Sequence, residues 1–246
     1  MQKVPTSTRQ RPDSPSQPCH REDPPFAYHR ATSGSSLLCG SYSQHPPCPL
    51  RLKGMDDFKD HLITYLSRSR QAVLWKAEGL SDAEVTRPMV GSGTNILGVI
   101  QHLASVEYGY FVQCLGFTIT DERYAALEAD PEPSADMWVP AEISRQEIMD
   151  FYQRAITAAD ANIAALPLEA PATVPWWRPE TRQTTLGRLL LHMNVENSRH
   201  AGHLDIVREL IDGSTGLLKE NTNIPPYDAT EWKELQQKIL SASQSR

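Results

Sequence analysis

The chain has 246 residues, 24 Lys and Arg against 30 Asp and Glu for a net charge of −6, and 39% hydrophobic residues, enough for one good-sized domain or two small ones. No run approaches the ~18 consecutive apolar residues of a membrane-spanning helix. The absence of a Lys/Arg-rich block argues against a nucleic-acid backbone binder, and four cysteines are too few for a disulfide-built scaffold. A cytosolic, mainly helical protein is the expectation left, with neither a membrane nor nucleic acid among its partners.

Composition changes sharply near residue 54. Residues 1–54 hold nine of the 19 prolines, eight serines and three of the four cysteines, Cys19, Cys39 and Cys48, with no apolar period of 3.6 or 2. Such a segment cannot bury enough surface to offset the entropy of ordering, so it reads as a disordered Pro/Ser-rich leader. It has no apolar core of a secretory signal. Its cysteines and His20 match no metal-ligand pairing, and Met55, which opens the periodic part, is the expected native start.

From Met55 the pattern is helical. Phe58, Leu62, Tyr65, Leu66, Val73 and Leu74 recur at spacings that predict a first helix to about Glu78, stopped by Gly79. Thr94 or Asn95 caps a second that turns Leu97, Ile100, Leu103, Val106 and Tyr110 inward and ends near Gly116. A long Asp-, Glu- and Pro-rich connection follows from Phe117 to Ile143. The capping box Ser144-Arg145-Gln146-Glu147 launches a third helix through Ile148, Phe151, Ile156 and Ile163 to about Leu166. Thr184 or Thr185 caps a fourth that runs to Ile211 and stops at Asp212-Gly213, and a short fifth spans about Thr230 to Leu240. Strand signals are absent. Four long amphipathic helices with one long crossover between the second and third predict an all-α fold, a four-helix bundle over residues 55–246 with a short C-terminal helix.

The fourth predicted helix carries the chemistry. His192, Glu196, His200 and His203 sit at i, i+4, i+8 and i+11 on one face, which continues with Leu189, Val207 and Leu210 and so points into the bundle. Polar groups on a core-facing stripe require partners. A Glu and a His one turn apart can chelate a divalent ion if a facing helix supplies a third ligand, and His102, inside the apolar stripe of the second helix, is the candidate. His61, among charged neighbours, reads as solvent-facing. The same pattern also describes a hydrogen-bonded core network, and spacing alone leaves both readings open. Cys114 has no adjacent base and reads as a buried structural thiol. There is no Gly-rich phosphate loop, G-x-S-x-G or H-E-x-x-H.

Several stretches together resemble the DinB/YfiT-like superfamily of metal-binding four-helix bundles. They are Leu74-Trp75-Lys76-Ala77-Glu78-Gly79-Leu80-Ser81, Ser92-Gly93-Thr94-Asn95-Ile96-Leu97-Gly98 leading to His102-Leu103 and Glu107, Val174-Pro175-Trp176-Trp177, and Glu196 through Asp205. The branch is the one related to mycothiol-dependent maleylpyruvate isomerase and mycothiol S-transferases. The resemblance implies a metal held by His102, Glu196 and His200. It places His203, His192 and Asp205 as neighbouring partners or alternative ligands, with His203 or Asp205 orienting a ligand imidazole. Glu stands at 196 where the family more usually has His, which weakens soft-metal preference; zinc is the expected ion, with nickel and manganese as alternatives. Trp176, Trp177 and Arg199 are the expected substrate-cavity residues, although the tryptophans also suit a plug at the bundle end. A three-ligand site leaves coordination positions open, so the implied activity is a thiol S-transferase or thiol-assisted isomerase acting on a small-molecule thiol, mycothiol or similar, and an electrophile. The alternative is a non-catalytic metal-binding or stress-related bundle that dimerises or binds a small molecule. A homodimer is expected in either case.

Overall fold

The structure, a computed structural model, describes residues 54–245. The leader expected over 1–54, apart from Gly54, and its cysteines lie outside the described residues. Seven helices follow in order: α1 (Gly54–Trp75), α2 (Asp82–Thr86), α3 (Ile96–Phe111), α4 (Glu122–Ala129), α5 (Arg145–Ala165), α6 (Leu186–Asp212) and α7 (Ala229–Gln244). The fold is an all-α four-helix bundle of α1, α3, α5 and α6. No helix among the described residues is long and apolar enough to cross a membrane.

Side-chain contacts set the directions of the four helices. Asn194 bonds Leu62, Ser198 meets Ser69 and Arg208 reaches Lys76, so α1 and α6 run parallel. His192 packs on Tyr110 and His200 on His102, so α3 opposes α6. Arg145 bonds Ala77, while Asp160 meets Arg70, so α5 opposes α1. The resulting up-down-down-up order needs one long crossover, and the segment between α3 and α5 supplies it.

Local chemistry explains the ends. Asn95 Oδ1 accepts the Gly98 N–H at the start of α3, and Thr185 caps α6 through Arg188 N. Of the capping box expected at α5, Ser144 accepts from Glu147 N. Where α1 was expected to continue to Glu78, its α-helical bonding stops at Trp75 and three i→i+3 bonds tighten the chain before Gly79, at φ +74°.

The connections hold more structure than their composition suggests. A capping box of Ser81 and Glu84 builds the single turn of α2, and Asp121 caps α4 inside the crossover. Contrary to the expectation of no strands, Pro171–Thr173 (β1) pairs antiparallel with Gln183–Thr185 (β2), Pro171 opposite Thr185. These pairs are three residues long, too short to leave a period-2 signal. α7 outruns its expected end at Leu240 and buries none of its residues.

Leu97, Ile100, Leu103, Phe151, Ile163 and Leu189 are fully or almost fully buried, as their periodicity predicts. Phe58, Tyr65 and Leu210, expected inside, are more than half exposed. On α1 the buried stripe runs through Leu62, Leu66, Arg70 and Val73, so a charged residue takes a place that apolar counting passes over. Arg70 donates through Nε and Nη2 to both oxygens of the buried Glu107 carboxylate at 2.8 and 2.6 Å, and through Nη1 to Asp160 at 2.7 Å. Nearby, Tyr152 donates to Asn197, whose amide donates to Met193 O. This polar layer ties all four bundle helices together.

Candidate metal centre

The 3.6-residue period sets Glu196 and His200 one turn apart on α6, and the antiparallel approach of α3 brings His102 opposite them. Glu196 Oε1 lies 3.0 Å from His200 Nε2 and 3.5 Å from His102 Nε2, and the two imidazole rings are 4.8 Å apart, centre to centre. One donor atom from each of the three residues falls within 4.8 Å of the others, the one such group of His, Cys, Asp or Glu among the described residues. Ligands about 2.1 Å from a shared tetrahedral ion lie about 3.4 Å apart. Two of the three separations, 3.0 and 3.5 Å, match that spacing, and the N, O, N donor set suits zinc, nickel or manganese. The side chains of His102, Glu196 and His200 retain 18%, 25% and 11% of their accessibility, so the group is largely buried but not sealed from solvent.

The charges are mutually adjusted. Burial opposes ionisation of Glu196, but the adjacent His200 and His102 outweigh it and hold the carboxyl below its usual range. Burial, reinforced by His102, pushes His200 down. Burial also works against His102, but hydrogen bonds and charges from Asp136 and Glu196 raise it.

Asp136 is the residue that sequence reasoning missed. It comes from the crossover, and its Oδ2 lies 2.7 Å from His102 Nδ1, on the side of the ring away from Glu196. Nothing in the spacing of residues 34 apart announces this contact. His200 differs: its Nδ1 is buried without a hydrogen-bond partner.

A family model described as mycothiol-S-transferase matches residues 61–213, which include His102, Asp136, Glu196 and His200. The chain belongs to the mycothiol S-transferase family. Comparison with curated proteins found no match.

Within this transferase-family bundle, the other expected site residues divide. His192 is not beside the three donors but one turn away, its ring 4.8 Å from that of Tyr110 and 5.1 Å from that of Trp177. Burial holds its pKa below the usual histidine value. Trp176 and Trp177 both donate their indole N–H to the Tyr110 hydroxyl, at 3.1 and 3.3 Å, and Arg188 lies over Trp177. Trp177 packs on the core cluster, as a plug at the bundle end would, while Trp176 is half-exposed. His203 is exposed, its ring edge-on to His200 at 5.3 Å. Arg199 is exposed on the outer face of α6.

Asp205 does not orient a ligand imidazole. It forms an ion pair with Lys76, whose side chain is completely buried against Trp75 and also donates to Gly216 O. The reason is helical phase, since Asp205 lies five residues beyond His200 and points toward α1 rather than α3. Arg208 is likewise buried: it pairs with Asp212 and donates to the carbonyls of Lys76 and Glu78, just past the end of α1.

Proposed function

We propose that this chain is a metal-dependent thiol S-transferase that joins a low-molecular-weight thiol of the mycothiol type to an electrophile, with a divalent ion held by His102, Glu196 and His200. The convergence of these three donors within 4.8 Å, inside the stretch that matches the family, carries the reading. A bound divalent ion supplies Lewis acidity, which favours the thiolate over the thiol and polarises an electrophile. The protein contributes placement and proton balance. Glu196 offers a carboxylate that the neighbouring imidazoles keep ionised. His200, pushed down by burial, presents a neutral nitrogen near pH 7. Thiol plus electrophile gives thioether plus the protonated leaving group or, for an addition, the protonated adduct. His192, also pushed down and one turn before Glu196, is a neutral base on the same helix for the thiol proton. The tryptophan pair at Tyr110 would form the rim against which the substrate lies. We place this activity in the cytosol, with the protein acting as a homodimer.

Metal analysis of protein purified without chelators should find one divalent ion per chain. A thiol-consumption assay with mycothiol and monochlorobimane should show turnover that His102→Ala and His200→Ala abolish. If all three proteins behave alike, the catalytic reading fails. A stoichiometric ion without turnover would leave the alternative, a non-catalytic metal-binding bundle.

A further inference from the structure

The crossover does more than connect α3 to α5. At residues Ala135–Met137 it forms a 3₁₀ turn, and this turn is fastened to one face of α3 by three residues at successive turns. Asn95, the cap, donates through Nδ2 to Met137 O at 3.3 Å and to Gly93 O at 3.1 Å. Gly98 lets the backbone in, because a Cβ there would lie 1.9 Å from Met137 O and 2.6 Å from Met137 C, where no side chain fits. Gln101, fully buried, directs Nε2 at the carbonyls of Ala135, Asp136 and Trp138, at 3.1, 3.1 and 2.8 Å. Its Oε1 accepts from Arg123 Nε and Nη2 at 3.1 and 2.6 Å, so the guanidinium of α4 settles which way the amide faces.

An ordinary surface ion pair needs no such apparatus. Here two buried amides and a glycine fix the backbone on both sides of Asp136, and its carboxylate meets Nδ1 of the next residue along α3, His102. A carboxylate accepting from Nδ1–H leaves the lone pair of the neutral ring on Nε2, the atom that faces Glu196. His200, with its buried Nδ1 unpartnered, has no equivalent.

We propose that Asp136 is a positioning residue that fixes the tautomer and ring direction of His102, and that Asn95, Gly98 and Gln101 form the clamp that presents it. The inference rests on the metal reading of the site given above. Removing such an outer partner weakens metal binding by about 10–100-fold.

The test uses the full chain and zinc. Zinc affinity, measured by competition with a chromophoric chelator, should fall by about 10–100-fold in Asp136→Ala, with Asp136→Glu recovering part of the loss. Gly98→Ala should weaken zinc in the same direction. Combining it with Asp136→Ala should add little, because both act through one contact. In metal-free protein at a pH where the ring is neutral, long-range ¹H–¹⁵N spectra should place the His102 proton on Nδ1 in the wild type and redistribute it in Asp136→Ala. Zinc binding by Asp136→Ala as tight as wild type, or an Nε2–H tautomer in the wild type, overturns the proposal. A wild type that binds no zinc would refute the metal reading instead, and the tautomer measurement would still decide the role of Asp136.

Discussion

Replacing Arg70 by Met is the sharpest test of the bundle's interior. The substitution keeps much of the side-chain volume and removes the cation that meets both oxygens of Glu107, a carboxylate with no solvent exposure. Breaking a buried pair by deleting one partner costs about 3–5 kcal/mol, because the remaining charge is stranded. The second contact, to Asp160, adds little, since that carboxylate is 54% exposed and screened by water. For a domain of this size about 2–4 °C of melting temperature corresponds to 1 kcal/mol, so Arg70→Met should melt roughly 6–20 °C below wild type. Equilibrium urea unfolding at pH 8 and pH 5 adds a sign. Burial already raises the Glu107 carboxyl in the wild type, where Arg70 pulls it back; without Arg70 it rises further, so the folded variant binds more protons and its deficit grows as pH rises. A second substitution, Glu107→Leu, should return much of the loss. A deficit below about 1 kcal/mol at pH 8, or one that grows toward pH 5, would refute the claim that this pair is dry and ionised.

Asp121 accepts from Arg154 Nε, from the Tyr108 hydroxyl and from two backbone N–H groups that begin α4. Although burial opposes it, Arg154 and the two backbone N–H groups hold its carboxyl below the ordinary 3.8. Its contribution is therefore fully present above that value and is lost as pH falls through the folded pKa. Asp121→Asn retains a good cap, so it should lose no more than about 1 kcal/mol at pH 7, and acid unfolding curves of variant and wild type should converge at low pH. Burial pushes the Cys114 thiol up to about 12, so peptide mapping after brief iodoacetamide treatment of native protein at pH 8 should find Cys114 unmodified; labelling there before unfolding would contradict its burial. Deleting residues 229–246 should move the melting temperature by no more than about 2 °C, because α7 buries no residue. A larger drop would mean that its apolar face, with Ile239 and Leu240, is covered in solution.

How far the site can be read in advance depends on which contacts are local. Glu196 and His200 are legible because they are four apart on one helix, a relation that the helical period dictates wherever the helix lies. His102 stands out as a polar residue inside an apolar stripe, and the resemblance to a metal-binding family supplies its pairing. Asp136 carries no such mark, sitting in an Asp- and Glu-rich connection among many acids. Its importance lies in the backbone approach at Gly98 and in the Gln101 amide, neither of which has a period. Arg70, Lys76 and Arg208 escape notice for a related reason: burial of a charge depends on the counter-charges and carbonyls that surround it after packing.

The amino-acid sequence by itself determined the four long helices, most of their caps, the change of composition near residue 54, and the carboxylate–imidazole stripe of α6. These follow from forces acting within one or two helical turns. Tertiary structure alone decided that Asp136 faces His102, that Asp205 faces Lys76, and that Arg70 and Glu107 share the core. Those partners are 34, 129 and 37 residues apart, distances over which only the packing of whole helices brings side chains together.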